Sequence, residues 1–141
     1  MNATEKLTAL KACETLAAAD DDTLQWLAEV VDTECLEADD IVFEEGEISE
    51  RIYVVASGKL EVRLDEKSPL VGLLEPGALF GEYAMFVNGV RTARVVAITE
   101  CVLLSVDDQH FRTFLLKCPE AMLALLQTAV RRLNRAERQR S

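Results

Sequence analysis

Between positions 34 and 106 the sequence falls into short runs of β-branched and aliphatic residues, at 41–43, 52–56, 60–64, 70–74, 94–98 and 101–106. Turn-forming residues part them: Gly46, the pair Ser57-Gly58, the polar stretch 65–68 and the pair Pro76-Gly77. None of the runs has the length of an ordinary helix. Short strands at regular spacing, with turns between them, close up as a barrel, a roll or a sandwich. Glycine recurs where a chain of this kind must take a positive φ or let another backbone come close.

Helical periodicity brackets this block. Across 4–33, Leu7 and Leu10 are spaced for one helix face, and Asp20, Asp21 and Asp22 precede Leu24, Leu27, Val30 and Val31 at the helical period. An aspartate in that place accepts from the free amides of a first turn. Trp26 falls off the stripe. From Asp107 the pattern is helical again. Asp107 or Asp108 caps a short helix carrying Phe111, Phe114 and Leu115, and Pro119 suits the first turn of a second. On that second helix Met122, Leu126, Ala129 and Leu133 share a face, with Leu123 and Val130 beside it. A chain of 141 residues is expected to form a single domain, 1–141, with helices in 1–33, strands in 34–106 and helices in 107–141.

Composition narrows the function classes. No stretch approaches the ~18 apolar residues that span a bilayer. Lys6 and Lys11 stand among polar residues with no apolar block after them, unlike a signal peptide, so a cytoplasmic location is expected. Cys13, Cys35, Cys101 and Cys118 have no close pairing and His110 is the single histidine, a pattern for reduced structural thiols rather than a zinc site or a metal-binding cupin. The net charge is -10, yet five arginines against Glu137 leave the last eleven residues at +4 and the remainder at -14. Such an acidic body is a poor binder of polyanions, because nucleic-acid affinity rests on phosphate neutralisation. Arginines at a helix C-terminus are favoured by its macrodipole.

One segment, 80–93, departs from the alternation of strand and turn. Gly81 opens a short helical turn, Glu82 follows at once, and Arg91 returns nine residues later. A helix start offers free backbone amides to an anion. A guanidinium grips two phosphate oxygens as a fork, which an ammonium does less well. Glu82 repels the same anion, so it needs another task, such as accepting from a sugar hydroxyl. The same residues also fit a plain turn with a surface ion pair, and spacing alone does not decide between the two.

The segment Phe80-Gly81-Glu82-Tyr83-Ala84 through Arg91-Thr92-Ala93 resembles the phosphate-binding cassette of the cyclic nucleotide-binding domain family, whose pattern runs F-G-E, an apolar residue, a small residue, a loop and R-(S/T/A)-A. Phe43-Glu44-Glu45-Gly46, Ile52-Tyr53-Val54-Val55, Ser57-Gly58 and Glu75-Pro76-Gly77 are similar to further family features, and the resemblance extends over 8–135. It implies an α+β, mainly β, fold: an antiparallel β-roll (double-stranded β-helix or jelly roll) with N-terminal helices and C-terminal hinge and lid helices. It implies cAMP or cGMP as ligand and no other cofactor. Arg91 would pair with the exocyclic phosphate oxygens, and Glu82 would accept from the ribose 2′-OH. Backbone amides of Gly81, Ala84 and Thr92 would complete the cradle, with the Thr92 hydroxyl near phosphate or purine and Ala93 closing the motif. Tyr83 departs from the usual aliphatic residue. Leu64 and Leu74 would wall the purine, and Arg131 or Arg132 falls where a late helix covers the base.

No nucleophile–base pair and no metal cluster is apparent: Ser57, Ser68 and Ser105 have no histidine near them in sequence, so an enzyme is not expected. The resemblance implies a sensor in which the cassette moves and the helices after Asp107 close, through apolar contacts of Met85 or Phe86 with Phe111 or Phe114. The chain ends at Ser141, with no room after the last helix for a helix-turn-helix. The expectation is therefore no direct DNA binding, no transmembrane segment, and output to a protein partner or a second copy through the last helix. A roll kept only as an interaction scaffold, or one turned to haem or a small acid, is the rival; the intact Glu82 and Arg91 speak against the first, and the lack of a haem ligand and the ribose-type Glu82 against the second.

Overall fold

The structure is a computed structural model that describes residues 1–63, 70–86 and 89–140. Two helices, α1 (Ala3–Lys11) and α2 (Asp21–Val30), lead into eight strands: β1 (Asp32–Leu36), β2 (Ile41–Phe43), β3 (Arg51–Ser57), β4 (Leu60–Arg63), β5 (Leu70–Leu74), β6 (Leu79–Phe80), β7 (Arg94–Ala97) and β8 (Cys101–Asp107). A 3₁₀ helix, Glu82–Phe86, interrupts the strands between β6 and β7, and α3 (Asp108–Lys117) and α4 (Pro119–Arg140) follow. The strands form two antiparallel four-stranded sheets, ordered β1-β8-β3-β6 and β2-β7-β4-β5, which together make the β-roll expected above.

Local chemistry sets the helix starts. Asn2 and Glu5 form a reciprocal capping box on α1, the Asp20 carboxylate accepts from the Thr23 amide at 2.8 Å, and that of Asp107 accepts from the His110 amide at 2.8 Å. The Asp107 carboxyl is held below its usual range, first by this backbone amide and then by the His110 ring. Residue 33 was expected to close the N-terminal helical region. Instead α2 stops at Val30, and Thr33 pairs with Leu104 within a β1–β8 ladder running from Asp32↔Ser105 to Leu36↔Cys101. Val31 and Thr33 suit a pleated strand, whereas Asp32 and Glu34 are held in one only because β8 lies alongside.

β3 is buried on both faces. Ile52 and Val54 join a helical core with Leu10, Leu24, Leu27, Leu104, Phe111, Phe114 and Leu125, whereas Tyr53 and Val55 join a roll core with Phe43, Leu60, Phe80, Val95 and Leu103. Successive side chains on a strand point to opposite faces, so one strand carries both cores. On α4 the stripe that packs down is Ala121 and Leu125, and Met122, Leu123, Leu126 and Val130 stay exposed. Among the described residues no single helix is long and apolar enough to cross a membrane. Phe111, Phe114 and Leu115 of α3 and Ala121 and Leu125 of α4 serve the helical core, with a 112° bend between the two segments.

Phe114 is fully buried in the helical core. Phe114→Ala should cost about 3–5 kcal/mol in urea unfolding, through lost burial and the cavity left behind. A loss below ~1 kcal/mol would show that α3 does not anchor the helical layer.

Candidate functional site

The centre of the candidate site is Arg91, which lies between the 3₁₀ helix and β7. Only 2% of Arg91 is accessible. Its Nη1 donates to the Gly81 carbonyl at 2.9 Å, and its Nη2 donates to Ser49 Oγ at 2.9 Å and to the Arg51 carbonyl at 2.7 Å. The guanidinium carbon stands 4.1 Å from the centre of the Phe43 ring and 5.9 Å from that of Tyr53. All three acceptors are neutral oxygens, and Nε is buried with no hydrogen-bond partner. Burial lowers the affinity of this guanidinium for its proton, against the pull of the Tyr53 hydroxyl and the carboxylates of Glu47 and Glu82. An arginine stays charged at neutral pH in spite of this. The roll therefore holds a buried cation with an unmatched donor, an arrangement that favours an anion.

Backbone bonds fix this geometry. Gly46 donates to the Arg91 carbonyl at 2.8 Å, the Arg91 amide to the Glu47 carbonyl at 2.8 Å, and the Ser49 amide to the Gly89 carbonyl at 2.9 Å, with Ile48 bridged to Val90. The loop between β2 and β3 is thus laced to the end of the cassette. Gly81 has φ +86°, and a Cβ there would stand 2.9 Å from Arg91 Nη1 and 3.1 Å from the Arg51 carbonyl. Only glycine allows that approach.

Glu82 begins the 3₁₀ helix and is 3% accessible. Its charge is felt by Arg91 and also by the Cys13 thiol, whose pKa is raised mainly by burial. Ala84 is buried and Tyr83 half-buried on the same short helix, while Thr92 is exposed and Ala93 half-buried just after Arg91. Gly81, Glu82, Ala84 and Arg91 are thus gathered at one end of the roll. Leu74, on β5 opposite Leu60, packs against the roll core. Leu64 lies outside the described residues, as do the side chain of Arg132 on α4 and that of Leu133. Met85 packs against the helical core that holds Phe111 and Phe114, but Phe86 is 61% exposed. A cleft of about 320 Å³ separates the 3₁₀ helix from α3, lined by Ile52, Ala84, Met85 and Arg112 among others, and Arg112 Nη2 crosses it to the Met85 carbonyl at 3.2 Å.

Phe43, Ser49, Arg51 and Tyr53 were not singled out as site residues from sequence. The aromatic signals were visible, as Phe43 three residues before Gly46 and Tyr53 in the middle of a strand. The carbonyls of Gly81 and Arg51 have no signature in sequence at all.

A short helix set between two strands of a roll, beside a buried guanidinium, is the arrangement around which this class of domain is built. The sequence profile of the family described as "Cyclic nucleotide-binding domain" matches residues 33–118, and the chain belongs to that family. It is 35% identical over 97 residues, 67% of this chain and 43% of the relative, to a "CRP-like cAMP-activated global transcriptional regulator" of Mycobacterium tuberculosis. It superposes on the crystal structure of the N-terminal domain of a transcriptional regulator from Streptomyces coelicolor with a TM-score of 0.70 and 31% identity, covering 91% of this chain and 94% of that one. Against Thermus thermophilus catabolite activator protein the TM-score is 0.78 at 23% identity, covering 89% of this chain and 60% of that one, a likeness of fold.

These relatives correct one expectation. DNA binding was set aside because the chain ends soon after its last helix and because its body is acidic. A protein named as a transcriptional regulator contains this region within 43% of its length, so neither ground holds. The exposed apolar edge of α4 likewise does not single out a protein partner.

Gly81→Ala should cost more than about 1 kcal/mol of stability in urea unfolding, since alanine resists positive φ. Gly72 supplies the control, because a Cβ added there would meet nothing within 4 Å. Gly72→Ala should leave the midpoint nearly unchanged. Equal effects at the two glycines would contradict the close packing of Gly81 on Arg91.

Proposed function

We propose that this chain is a non-catalytic sensor of cAMP or cGMP. The observation that carries the proposal is Arg91: a buried guanidinium whose hydrogen-bond acceptors are all neutral and whose Nε has none. An exocyclic phosphate supplies both the missing acceptor and the missing negative charge. Glu82 accepts from the ribose 2′-OH, the amides of Gly81, Ala84 and Thr92 cradle the phosphate, and Leu74 borders the purine, with Leu64 and Arg132 as further contacts. Net charge does not prevent this. Distant carboxylates are screened over ~8 Å in physiological salt, whereas Arg91 acts in contact.

The signal leaves through α3. Arg51, whose carbonyl holds Arg91, sits opposite Asp107 in the β3–β8 ladder, and Asp107 caps α3. Arg112 ties α3 to the cassette at the Met85 carbonyl. A ligand shifts α3 only by binding one position of it better than another.

Arg91→Ala should lose roughly 1.5–3 kcal/mol of binding, about tenfold to more than a hundredfold in affinity, by calorimetry with cAMP and cGMP. In thermal melts of the native chain, the preferred nucleotide at a hundred times its dissociation constant should stabilise by ~2.7 kcal/mol. Melts unmoved by both nucleotides would leave the roll as a scaffold.

Trp26, the single tryptophan, reports on the second step. Its ring centre lies 6.0 Å from that of His110 and 4.1 Å from Lys117 Nζ, both on α3. Its emission should change on nucleotide addition and saturate at the calorimetric midpoint. Binding with unchanged emission would mean that α3 stays still.

A further inference from the structure

We infer that Ser49, outside the cassette, is a second phosphate donor, an assignment that rests on the reading of Arg91 as the phosphate anchor. Ser49 Oγ receives two N–H groups, from Arg91 Nη2 at 2.9 Å and more weakly from the Arg51 amide at 3.4 Å. Both donors spend oxygen lone pairs and neither can accept, because a guanidinium and an amide N–H offer no acceptor. The hydroxyl proton therefore points away from both, and among the described residues it has no acceptor. Arg91 Nε is unmatched in the same way. A buried donor without a partner, beside a half-buried hydroxyl hydrogen-bonded to the same guanidinium and lacking a protein acceptor among the described residues, marks the place of an anion.

The placement is rigid. The Ser49 amide is bonded to the Gly89 carbonyl and its neighbour Ile48 is bridged to Val90, which fixes the serine backbone against the cassette, and the N–H groups of Arg91 and Arg51 hold its Oγ. Contact with a cation also polarises the O–H bond and makes it a stronger donor than a serine in water. An oxygen anion held by Arg91 receives this proton as a hydrogen bond. A neutral or purely apolar ligand gains nothing from it. Ser49 thus contributes to selection for the charged phosphodiester, alongside the guanidinium it touches.

The test uses the full chain and three probes: cAMP and its two phosphorothioate diastereomers, Sp-cAMPS and Rp-cAMPS, in which sulfur replaces one or the other exocyclic oxygen. Sulfur accepts a hydroxyl proton poorly, so the diastereomer with sulfur facing Ser49 already lacks this bond. Ser49→Ala should weaken cAMP about tenfold, the loss of one hydrogen bond to a charged group, and weaken that diastereomer little. The Sp:Rp affinity ratio should therefore move by several-fold, and Ser49→Thr, which keeps the hydroxyl, should restore both values. Thermal melts without nucleotide verify that each variant folds. A Ser49→Ala chain that binds all three probes like the native one overturns the assignment. So does an equal loss on all three, which would mean that Ser49 only steadies Arg91. A native chain that binds none of them overturns the cyclic nucleotide reading itself, and this assignment with it.

Discussion

A guanidinium buried among neutral oxygens is the constraint on which the roll is organised. Taking a cation out of water is costly unless its donors are matched, and Arg91 meets that demand at its two terminal nitrogens, though not at Nε, with acceptors from three separate segments: Gly81 in the cassette, Ser49 in the β2–β3 loop and Arg51 at the start of β3. Each acceptor has its own requirement. Gly81 must lack a side chain, the loop must be laced to the cassette, and β3 must begin where its first carbonyl faces inward. The Phe43 and Tyr53 rings complete the enclosure through their electron-rich faces. The cassette is thus held less by its own short helix than by the residue that follows it.

The same strand connects this end of the roll to the helices. β3 sends Tyr53 and Val55 into the roll core and Ile52 and Val54 into the helical core, and its partner β8 ends at the residue that caps α3. Arg51 concentrates the connection in one residue. Its carbonyl serves Arg91, while its side chain reaches Ser105 Oγ at 2.9 Å and Asp32 at 2.7 Å, tying β3 to β8 and β1. Ser105 is fully buried, and Arg51 is its partner there.

Much of this was legible in the sequence because it depends on local chemistry. The aspartates at 20 and 107 announced helix starts, and Pro119 sits where its missing amide does no harm. The strand runs were visible by composition. β1 was not, because Thr33, Glu34 and Cys35 have no strong alternation and gain their partner only when β8, some seventy positions later, folds beside them. β6, two residues long, is likewise made by its neighbour β3. At the site, Arg91 and Glu82 could be named from their motif, but their burial could not, because two of the three acceptors for Arg91 are main-chain oxygens common to every residue type. The exclusion of DNA binding failed for a different reason: net charge is a sum over many residues, whereas function is decided region by region, and the match to a named regulator spans only 43% of that relative.

Charge shows the same distinction at the scale of a few ångströms. The β2–β3 loop carries Glu44, Glu45, Glu47 and Glu50 beside an arginine that needs an anion. Glu44 is engaged by Arg94 at 2.6 Å, which removes the carboxylate nearest β7 from competition. Glu45, Glu47 and Glu50 are exposed, where water and salt weaken their fields. Arg91 is shielded from that screening, so its field is felt at full strength by whatever enters the roll. The loop's carboxylates and the cassette's arginine therefore do not oppose each other on equal terms: the exposed acids are screened, and the buried cation is not.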